Sequence, residues 1–484
     1  MVHLGSIVSN VALGDALQWQ AGFTLFFSVN WAFQTSTYFD ATIASTSVIF
    51  EVGTRRLLAS SIIIRSFMQR ERLMSSDSTR VQSKSDSSFP ITLSTRRYSS
   101  SPTIPSAELE VRIRRLRAEM SKASIDIIVL TDSNNIQYFT GFRTLSMLNK
   151  TRPNMALLTQ ERVIFVGSRS EGKYRDDLGP SFSGVQYSGY LAEAVDLLTD
   201  QINGMPAAIG RRVAIDYGQD MLGHGSLQLI DRIKGLSYDQ SIKSAVNVLW
   251  RVRMIKTPFE VEMKKIGFDI INKAFDQAIA HAYVGMSELE LYQIMQAQIY
   301  LNGAESSEPM PLLFSDGDFY YSRWPSDRKL REGHYVWSDF YATYGGYPTD
   351  RNRIARCGDP AQWEVDTYRS VRALTIELAK SIKPGLRCCD VFSQFQRLWG
   401  DAGLGAVYGL VSRIGHGGGM DILEPPSLSA SDDTIIEAGM VFHLEPKLEK
   451  NGAVFQFEEV VHVLDHDVEF ISELSPEQLP IIRP

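Results

Sequence analysis

Apolar positions in residues 105–250 follow helix and strand periods in turn. Helical spacing joins Leu109, Ile113, Leu116 and Met120 and predicts a helix there. A second helix is predicted at residues 191–202. Short apolar runs predict strands at residues 125–130, 155–158, 163–166 and 213–216. Strands that alternate with helices predict a small α/β domain at residues 105–250.

The pattern changes at residue 257, where two helix starts carry capping signals. Thr257 precedes Pro258, and Glu260 follows at the position that completes a capping box. Ser287 and Glu290 repeat this arrangement. The two helices are expected to end near residues 281 and 300, and further helices are predicted at residues 360–382 and 389–402. Strands fill most of the remainder, so residues 251–484 are predicted to form an α+β domain.

Residues 1–104 differ from the rest of the chain. Residues 1–50 are nearly uncharged, yet polar residues break every apolar run before the roughly 18–20 residues that a membrane span needs. Residues 55–101 carry nine Lys or Arg against three acids and are rich in serine. This composition is typical of a mitochondrial transit peptide, and also of a disordered tail or a misassigned gene start. We therefore expect a targeting or disordered extension at residues 1–104.

Composition excludes several classes of partner. A net charge of −7 gives no reason to expect binding to nucleic acid. The three cysteines, Cys357, Cys388 and Cys389, have neither disulfide-framework nor zinc-site spacing. Reduced thiols are expected instead, in an intracellular protein that is mitochondrial or cytoplasmic and has no membrane partner.

Two aspartates flank a Gly-Gly turn between β-type segments. Asp339 and Asp350 lie five residues either side of the midpoint between Tyr344 and Gly345. In a hairpin with that centre they would face each other across the strands and share one face. Two carboxylates held so close repel each other unless a cation lies between them. Surface hairpins often carry acids, so this pair alone is a modest signal.

A histidine and two glutamates add to this pattern. His416 lies among glycines that allow close approach of the backbone, although a lone histidine is more often a core residue than a ligand. Glu445 and Glu458 each fall in an otherwise apolar stretch predicted as a strand. A buried acid is costly unless it is paired or metal-bound. Four carboxylates and one imidazole from separate segments suit a pair of divalent ions.

The order of these motifs resembles the pita-bread superfamily, which includes methionine aminopeptidase, aminopeptidase P, prolidase and creatinase. The shared features are Asp-x10-Asp, Gly-His-Gly, Glu-Pro after Gly-Met-Val, and Glu-Glu before an apolar run. Residues 346–353 and Glu424-Pro425-Pro426 look like the same family. Residues 135–142 resemble the creatinase-type N-terminal domain, which the short methionine aminopeptidases lack. The resemblance covers residues 106–480 and implies a pita-bread catalytic domain after a creatinase-type α/β domain.

The resemblance also implies roles for the five residues. Asp339 would bind one ion through both oxygens, Asp350 and Glu458 would bridge two ions, and His416 and Glu445 would complete the coordination of the second ion. The water that bridges the ions would be polarised to a hydroxide near neutral pH, and this hydroxide would attack a carbonyl carbon. Carboxylate-rich coordination favours manganese first, with iron, cobalt or zinc as alternatives. Because creatinase- and prolidase-like proteins commonly pair, a homodimer is expected.

The chain also departs from the proline peptidases of this family. Two histidines typical of them are missing, one around residues 321–325 and one at Leu423, and Gln456 replaces an arginine. The leading hypothesis is a hydrolase of a C–N bond in a small proline-containing peptide or an amide-like metabolite. A lyase of the dimethylsulfoniopropionate-cleaving type and a catalytically inactive binding module are the alternatives.

Two residues are candidates to replace the missing histidines. His443 lies two residues before Glu445, so its side chain is expected on the same face, where it donates to an oxyanion or supports a ligand. A partly exposed strand histidine is the alternative. Arg323 falls where the first histidine belongs and is a candidate to bind a substrate carboxylate, unless it only holds its loop.

Overall fold

The computed structural model describes residues 48–52, 55–59 and 102–483, apart from residues 176, 207–208, 219–220, 239 and 406–411. The chain divides into two compact units, residues 1–90 and 91–484. In the first unit, β1 (Val48–Val52) pairs antiparallel with β2 (Arg55–Ala59). The prediction for residues 1–104 falls mostly outside the described residues. Among the described helices, none is both long and apolar enough to cross a membrane.

The first part of the larger unit combines a mixed sheet with helices. The helices are α1 (Ser106–Ala123), α2 (Ser133–Thr140), α3 (Leu191–Asn203), α4 (Leu227–Leu236) and α5 (Val246–Arg253). The strands are β3 (Ile127–Leu130), β4 (Met155–Leu158), β5 (Val163–Ser168), β6 (Phe182–Tyr187), β7 (Val213–Ile215), β8 (Tyr217–Gly218), β9 (Met221–Leu222) and β10 (Lys243–Ser244). The sheet runs β10-β7-β3-β4-β5-β6, and β8 pairs with β9 separately.

Strand β3 shows why this sheet lies in the middle of its region. Ile128 and Leu130 join one hydrophobic cluster, whereas Ile127 and Val129 join another on the opposite face. Alternate side chains of a strand point to opposite faces, so a sheet covered on both sides needs a continuous apolar run. Helix α1 buries the four residues whose spacing predicted it, Leu109, Ile113, Leu116 and Met120.

The second part begins with the two helices whose capping signals are visible in the sequence. Helix α6 (Pro258–Ala280) begins after Thr257, whose hydroxyl accepts from the Glu260 N–H at 3.3 Å while the Glu260 carboxylate accepts from the Thr257 N–H at 3.0 Å. Ser287 caps α7 (Glu288–Leu301) in the same way. Helices α8 (Gln362–Ser381) and α9 (Cys388–Asp401) follow close to the predicted ranges.

Strands of the second part form two sheets and a small hairpin. The strands are β11 (Leu312–Ser315), β12 (Tyr335–Tyr344), β13 (Tyr347–Cys357), β14 (Arg413–Gly417), β15 (Glu424–Ser429), β16 (Val441–Leu444), β17 (Lys447–Lys450), β18 (Ala453–Gln456), β19 (Glu459–Val463), β20 (Val468–Phe470) and β21 (Ile481–Ile482). One sheet runs β11-β12-β13-β21 and the other β15-β14-β16-β19-β20, while β17 pairs with β18. The predicted boundary near residue 250 stays a prediction, because residues 91–484 form one compact unit.

Candidate metal centre

The β12–β13 hairpin brings Asp339 and Asp350 to one face, but not directly opposite each other. Asp339 pairs with Asn352, and Asp350 pairs with Tyr341. The expected register was therefore wrong by one residue at the turn. Gly345 and Gly346 form the turn with φ of 61° and 80°, and the expected centre would have required Tyr344 to take the first of these conformations. The two aspartates are diagonal neighbours on the same face.

His416 lies in β14 with its ring held by the backbone of the next residue. Its Nδ1 lies 2.9 Å from the carbonyl oxygen of Gly417, so Nδ1 carries the hydrogen and Nε2 keeps its lone pair. Nε2 lies 3.7 Å from Asp350 Oδ2 and 3.6 Å from Glu445 Oε1. This is how a neutral imidazole is prepared to bind a metal, with its other nitrogen held by a carbonyl.

Glu445 and Glu458 lie at strand ends rather than inside strands, which corrects the sequence-based expectation. Glu445 separates β16 from β17, and Glu458 separates β18 from β19. Both breaks fall at one level, because Leu444 pairs with Glu459 and Lys447 pairs with Gln456. Pro446 cannot donate a ladder hydrogen bond, which contributes to the break. The interruption places both glutamates outside the named strands, although the Glu445 N–H still donates to the Ile414 carbonyl at 2.8 Å.

Ligand atoms from separate segments converge at this point. One atom each from Asp350, His416, His443 and Glu458 lies within 4.8 Å of all the others. Glu445 contacts His416, and Asp339 interacts with Asp350 and Glu458. Asp339 Oδ1, Asp350 Oδ1 and Glu458 Oε2 are buried without a hydrogen-bond partner among the described residues. Buried carboxylate oxygens without partners are costly, and divalent cations would satisfy them.

The electrostatics are those of a site that needs cations. Burial, with the neighbouring carboxylate of Glu458, raises the pKa of Asp339 to about 7. Burial also raises the pKa of Glu445 to about 7 and of Glu458 to about 8, and it raises the pKa of Asp350 strongly. Burial and the neighbouring His443 lower the pKa of His416 to about 3, so His416 stays neutral. Buried carboxylates with raised pKa values, next to a neutral imidazole, suit hard divalent ions.

Two lysines near the carboxylates did not figure in the sequence-based prediction. Lys447 lies close enough to Asp339 and Glu445 to lower their pKa values, and its Nζ lies 3.4 Å from the centre of the Tyr321 ring. Lys264 is buried, donates to the Pro348 carbonyl at 2.9 Å and lowers the pKa of Glu458. The position of Lys447, two residues after Glu445, was the available signal. Lys264 gave no comparable signal, because its proximity depends on how α6 packs.

His443 is fully buried, so it is not a partly exposed strand histidine. It pairs with His416 across β14 and β16, and the two rings stack with centres 4.9 Å apart. Its Nδ1 lies 2.6 Å from Glu458 Oε1, while its Nε2 has no partner among the described residues. The side chain therefore contacts a predicted ligand instead of the open side of the site.

Arg323 forms an ion pair with Glu288, which argues against its predicted role in binding substrate. Its two terminal nitrogens lie 2.6 and 2.5 Å from the oxygens of Glu288, at the start of α7. Glu288 is fully buried and also accepts hydrogen bonds from Ser326 and from the Phe314 N–H. The guanidinium neutralises this carboxylate and holds the 316–330 loop, so the loop role is the one its contacts support.

Two family models match the chain in succession. The Creatinase/Prolidase N-terminal domain matches residues 112–255, and Metallopeptidase family M24 matches residues 263–465. The chain belongs to the pita-bread metallopeptidase superfamily. Membership places it among metal-dependent hydrolases and confirms the predicted fold class.

Individual relatives of this M24 chain are distant but cover most of it. An Xaa-Pro dipeptidase from Pyrococcus horikoshii is 23% identical over 339 residues, which are 69% of this chain and 89% of the relative. The Pyrococcus furiosus enzyme of that name is 26% identical over 260 residues, 52% of this chain and 73% of the relative.

Solved structures share the fold of this M24 chain. An Xaa-Pro dipeptidase from Bacillus anthracis has a TM-score of 0.66 at 23% identity and covers 77% of this chain and 99% of its own. An X-Pro aminopeptidase from Thermotoga maritima has a TM-score of 0.64 at 21% identity, with 76% and 99% covered. At such identities the likeness concerns the fold of the M24 chain.

Proposed function

We propose that the protein is a dinuclear metal-dependent hydrolase of a C–N bond in a small peptide or amide-like substrate. The observation that carries this proposal is the convergence of Asp339, Asp350, His416, Glu445 and Glu458, three of which have a buried oxygen without a partner among the described residues. The four carboxylates, when ionised, carry four negative charges, which two divalent cations balance. Manganese is the first choice for such an oxygen-rich set, and iron, cobalt or zinc would also fit.

Some residues of the site would bind the ions, and others would contact the substrate. The ions, when bound, make water a nucleophile near neutral pH and polarise a carbonyl. Asp339, Tyr341 and Thr343 alternate along β12 as partly exposed residues, so the substrate approaches from their side. Tyr341 lies opposite Asp350, and burial together with Asp339 raises the pKa of its phenol. We assign the protonated phenol as a donor to the developing oxyanion.

The substrate is expected to differ from that of ordinary proline peptidases. Peptide-like substrates are supported by relatives named Xaa-Pro dipeptidase. However, Leu423 occupies one position where those peptidases carry a histidine, and its side chain is 52% exposed. Removing one oxyanion donor costs about 10²–10³ in rate. We therefore expect slow hydrolysis of Xaa-Pro dipeptides and faster hydrolysis of a smaller amide.

The test combines metal analysis with a panel of substrates. Two ions per chain and hydrolysis of an Xaa-Pro dipeptide or a creatine-like amide would support the proposal. Release of an alkene acid from a sulfonio acid would instead identify the lyase alternative. A chain that binds no ion and turns over none of these substrates would indicate a binding module. Cleavage of Xaa-Pro dipeptides at the rate of ordinary prolidases would contradict the altered substrate.

We also propose a homodimer inside the cell, in the mitochondrion or the cytoplasm, from the family resemblance alone. Light scattering at micromolar concentration would measure the mass, and a monomer there would contradict the dimer.

A further inference from the structure

The ring of His443 packs near two other rings. His416 stacks on one side with an interplanar angle of 14°, and the ring of Phe268 lies 6.0 Å away at 49°. The residue is fully buried in β16, directly opposite His416 of β14. A ring packed in this way keeps one orientation, so the atoms that its two nitrogens face are fixed by the fold.

Only one nitrogen of His443 has a partner among the described residues. Nδ1 lies 2.6 Å from Glu458 Oε1. When Glu458 is ionised, as a metal ligand must be, its oxygens only accept hydrogen bonds, so Nδ1 carries the hydrogen. Glu458 Oε1 then uses one lone pair in this hydrogen bond, whereas Oε2, which has no partner among the described residues, keeps both for ions. His443 therefore fixes the orientation of the Glu458 carboxylate.

The other side of the imidazole faces Gly418. A Cβ at residue 418 would lie 2.6 Å from His443 Nε2 and 2.9 Å from its Cδ2. Both distances are shorter than real Cβ contacts. Gly418 does not take the left-handed φ that favours glycine, so its backbone does not require that residue. The imidazole requires it, because a side chain at 418 would push the ring away from Glu458.

We propose that His443 and Gly418 form a positioning pair that fixes Glu458 with Oε2 turned to the metal ions. The inference rests on the proposed function and deepens it. His443 acts through Glu458 and does not touch the substrate, which replaces the oxyanion role that its sequence position suggested. Residues that orient metal ligands typically contribute about 10–100-fold to metal affinity or activity. The same range is expected for His443.

The experiment measures the affinity of the metal-free protein for Mn²⁺ by calorimetry, with the line shape of bound Mn²⁺ in electron paramagnetic resonance. His443→Leu removes the donor and should weaken binding about 10–100-fold. His443→Asn keeps an amide N–H near the position of Nδ1 and should recover most of the affinity. His462→Gln is the control, since His462 is a mostly buried histidine on the neighbouring β19 that lies near Glu469.

The Gly418 half of the proposal is tested by a double-mutant cycle. Gly418→Ala should weaken Mn²⁺ binding in the wild-type background, because the methyl group displaces the imidazole. The same change should have little further effect in His443→Leu, where no hydrogen bond remains to be broken. Equal losses in both backgrounds would show that residue 418 acts independently and would overturn the pairing. Urea unfolding of each metal-free variant would identify a loss of affinity that comes from misfolding. If a variant is misfolded, the Mn²⁺ affinity of His443→Asn decides whether the hydrogen bond to Glu458 matters.

Failure of this inference is distinguishable from failure of the proposed function. A wild-type protein that binds no Mn²⁺ would overturn both. A wild-type protein that binds two ions, with a His443→Leu variant of unchanged affinity and line shape, would overturn only the positioning pair.

Discussion

The protein contains two buried clusters of charged side chains, which are neutralised in different ways. Glu424, in β15, has one oxygen 2.5 Å from Arg253 and the other 2.9 Å from Lys256, with all three side chains essentially unexposed. Burial opposes ionisation of Glu424, yet Lys256 and Arg253 lower its pKa to about 2. The carboxylates of the metal centre are also largely buried, but their pKa values are raised to about 7 or 8, or further.

The difference teaches how to recognise a site that needs ions. Burial alone does not distinguish a structural acid from a metal ligand, because the acids of both clusters are largely buried. What distinguishes them is whether both oxygens of each acid already have partners in the chain. Those of Glu424 do, whereas one oxygen each of Asp339, Asp350 and Glu458 has none among the described residues. The first cluster is expected to support folding, and the second to support binding.

The largest effect is expected from removing a predicted bridging ligand. Asp350→Ala should lose both ions, because it deletes an oxygen donor shared by the two sites while the fold is kept. Elemental analysis after dialysis measures the stoichiometry, and Asp433→Ala, an exposed acid, is the control. Wild-type metal content in Asp350→Ala would remove the basis for the ligand assignment.

A large effect on stability is expected when Glu424 is removed from its cluster with Arg253 and Lys256. Glu424→Leu leaves Arg253 and Lys256 buried without a carboxylate between them and should cost about 3–5 kcal/mol of unfolding free energy. Urea unfolding of the metal-loaded protein measures the loss. Glu437→Gln breaks the exposed pair with Arg251 and should cost below about 1 kcal/mol. Similar losses for the two variants would mean that Glu424 is not a folding element.

Opposite pH dependences should separate the two clusters in metal-free protein. The raised pKa values of Asp339, Glu445 and Glu458 mean that the folded state binds protons more tightly than the unfolded state, so their stabilisation is lost as pH rises from about 5 to 8. The lowered pKa of Glu424 contributes stability that is present at pH values above the ordinary pKa of a glutamate. This stability is lost as the pH falls towards 2. Thermal unfolding in chelator across pH measures both. A metal-free melting temperature that rises from pH 5 to 8 would contradict the first assignment.

The smallest effect is expected at Arg323, which neutralises Glu288 as Arg253 neutralises Glu424. Because the Arg323 side chain is 26% exposed, Arg323→Met should cost only about 1–2 kcal/mol and leave the metal content unchanged. Arg232→Met, which breaks an exposed pair with Asp196, is the matched control. Metal loss, or a fall in activity at unchanged stability, would support a role for Arg323 in the active site.

Local signals predicted the helices well, because caps such as Thr257 with Glu260 act within one turn. The order of acids and glycines predicted the candidate metal ligands. The register of the hairpin was missed because a count from a midpoint ignores which residues accept positive φ, as Gly345 and Gly346 do. The contacts of His443 and Arg323 could not be predicted, since each depends on a partner brought close by tertiary packing.

Asn134 of α2 donates a hydrogen bond to Asp421, and Arg253 at the end of α5 contacts Asp421 and Glu424, so the N-terminal region is tied to the loop after His416. This contact bears on how the two regions can evolve. Recombination that joined this catalytic region to the N-terminal domain of another family member would have to bring an amide at residue 134 and an arginine at residue 253. Without them, Asp421 would lose its hydrogen-bond partners and Glu424 would lose one of its two cations. The two regions are therefore expected to be inherited together, and hybrids are expected to require compensating changes at this junction.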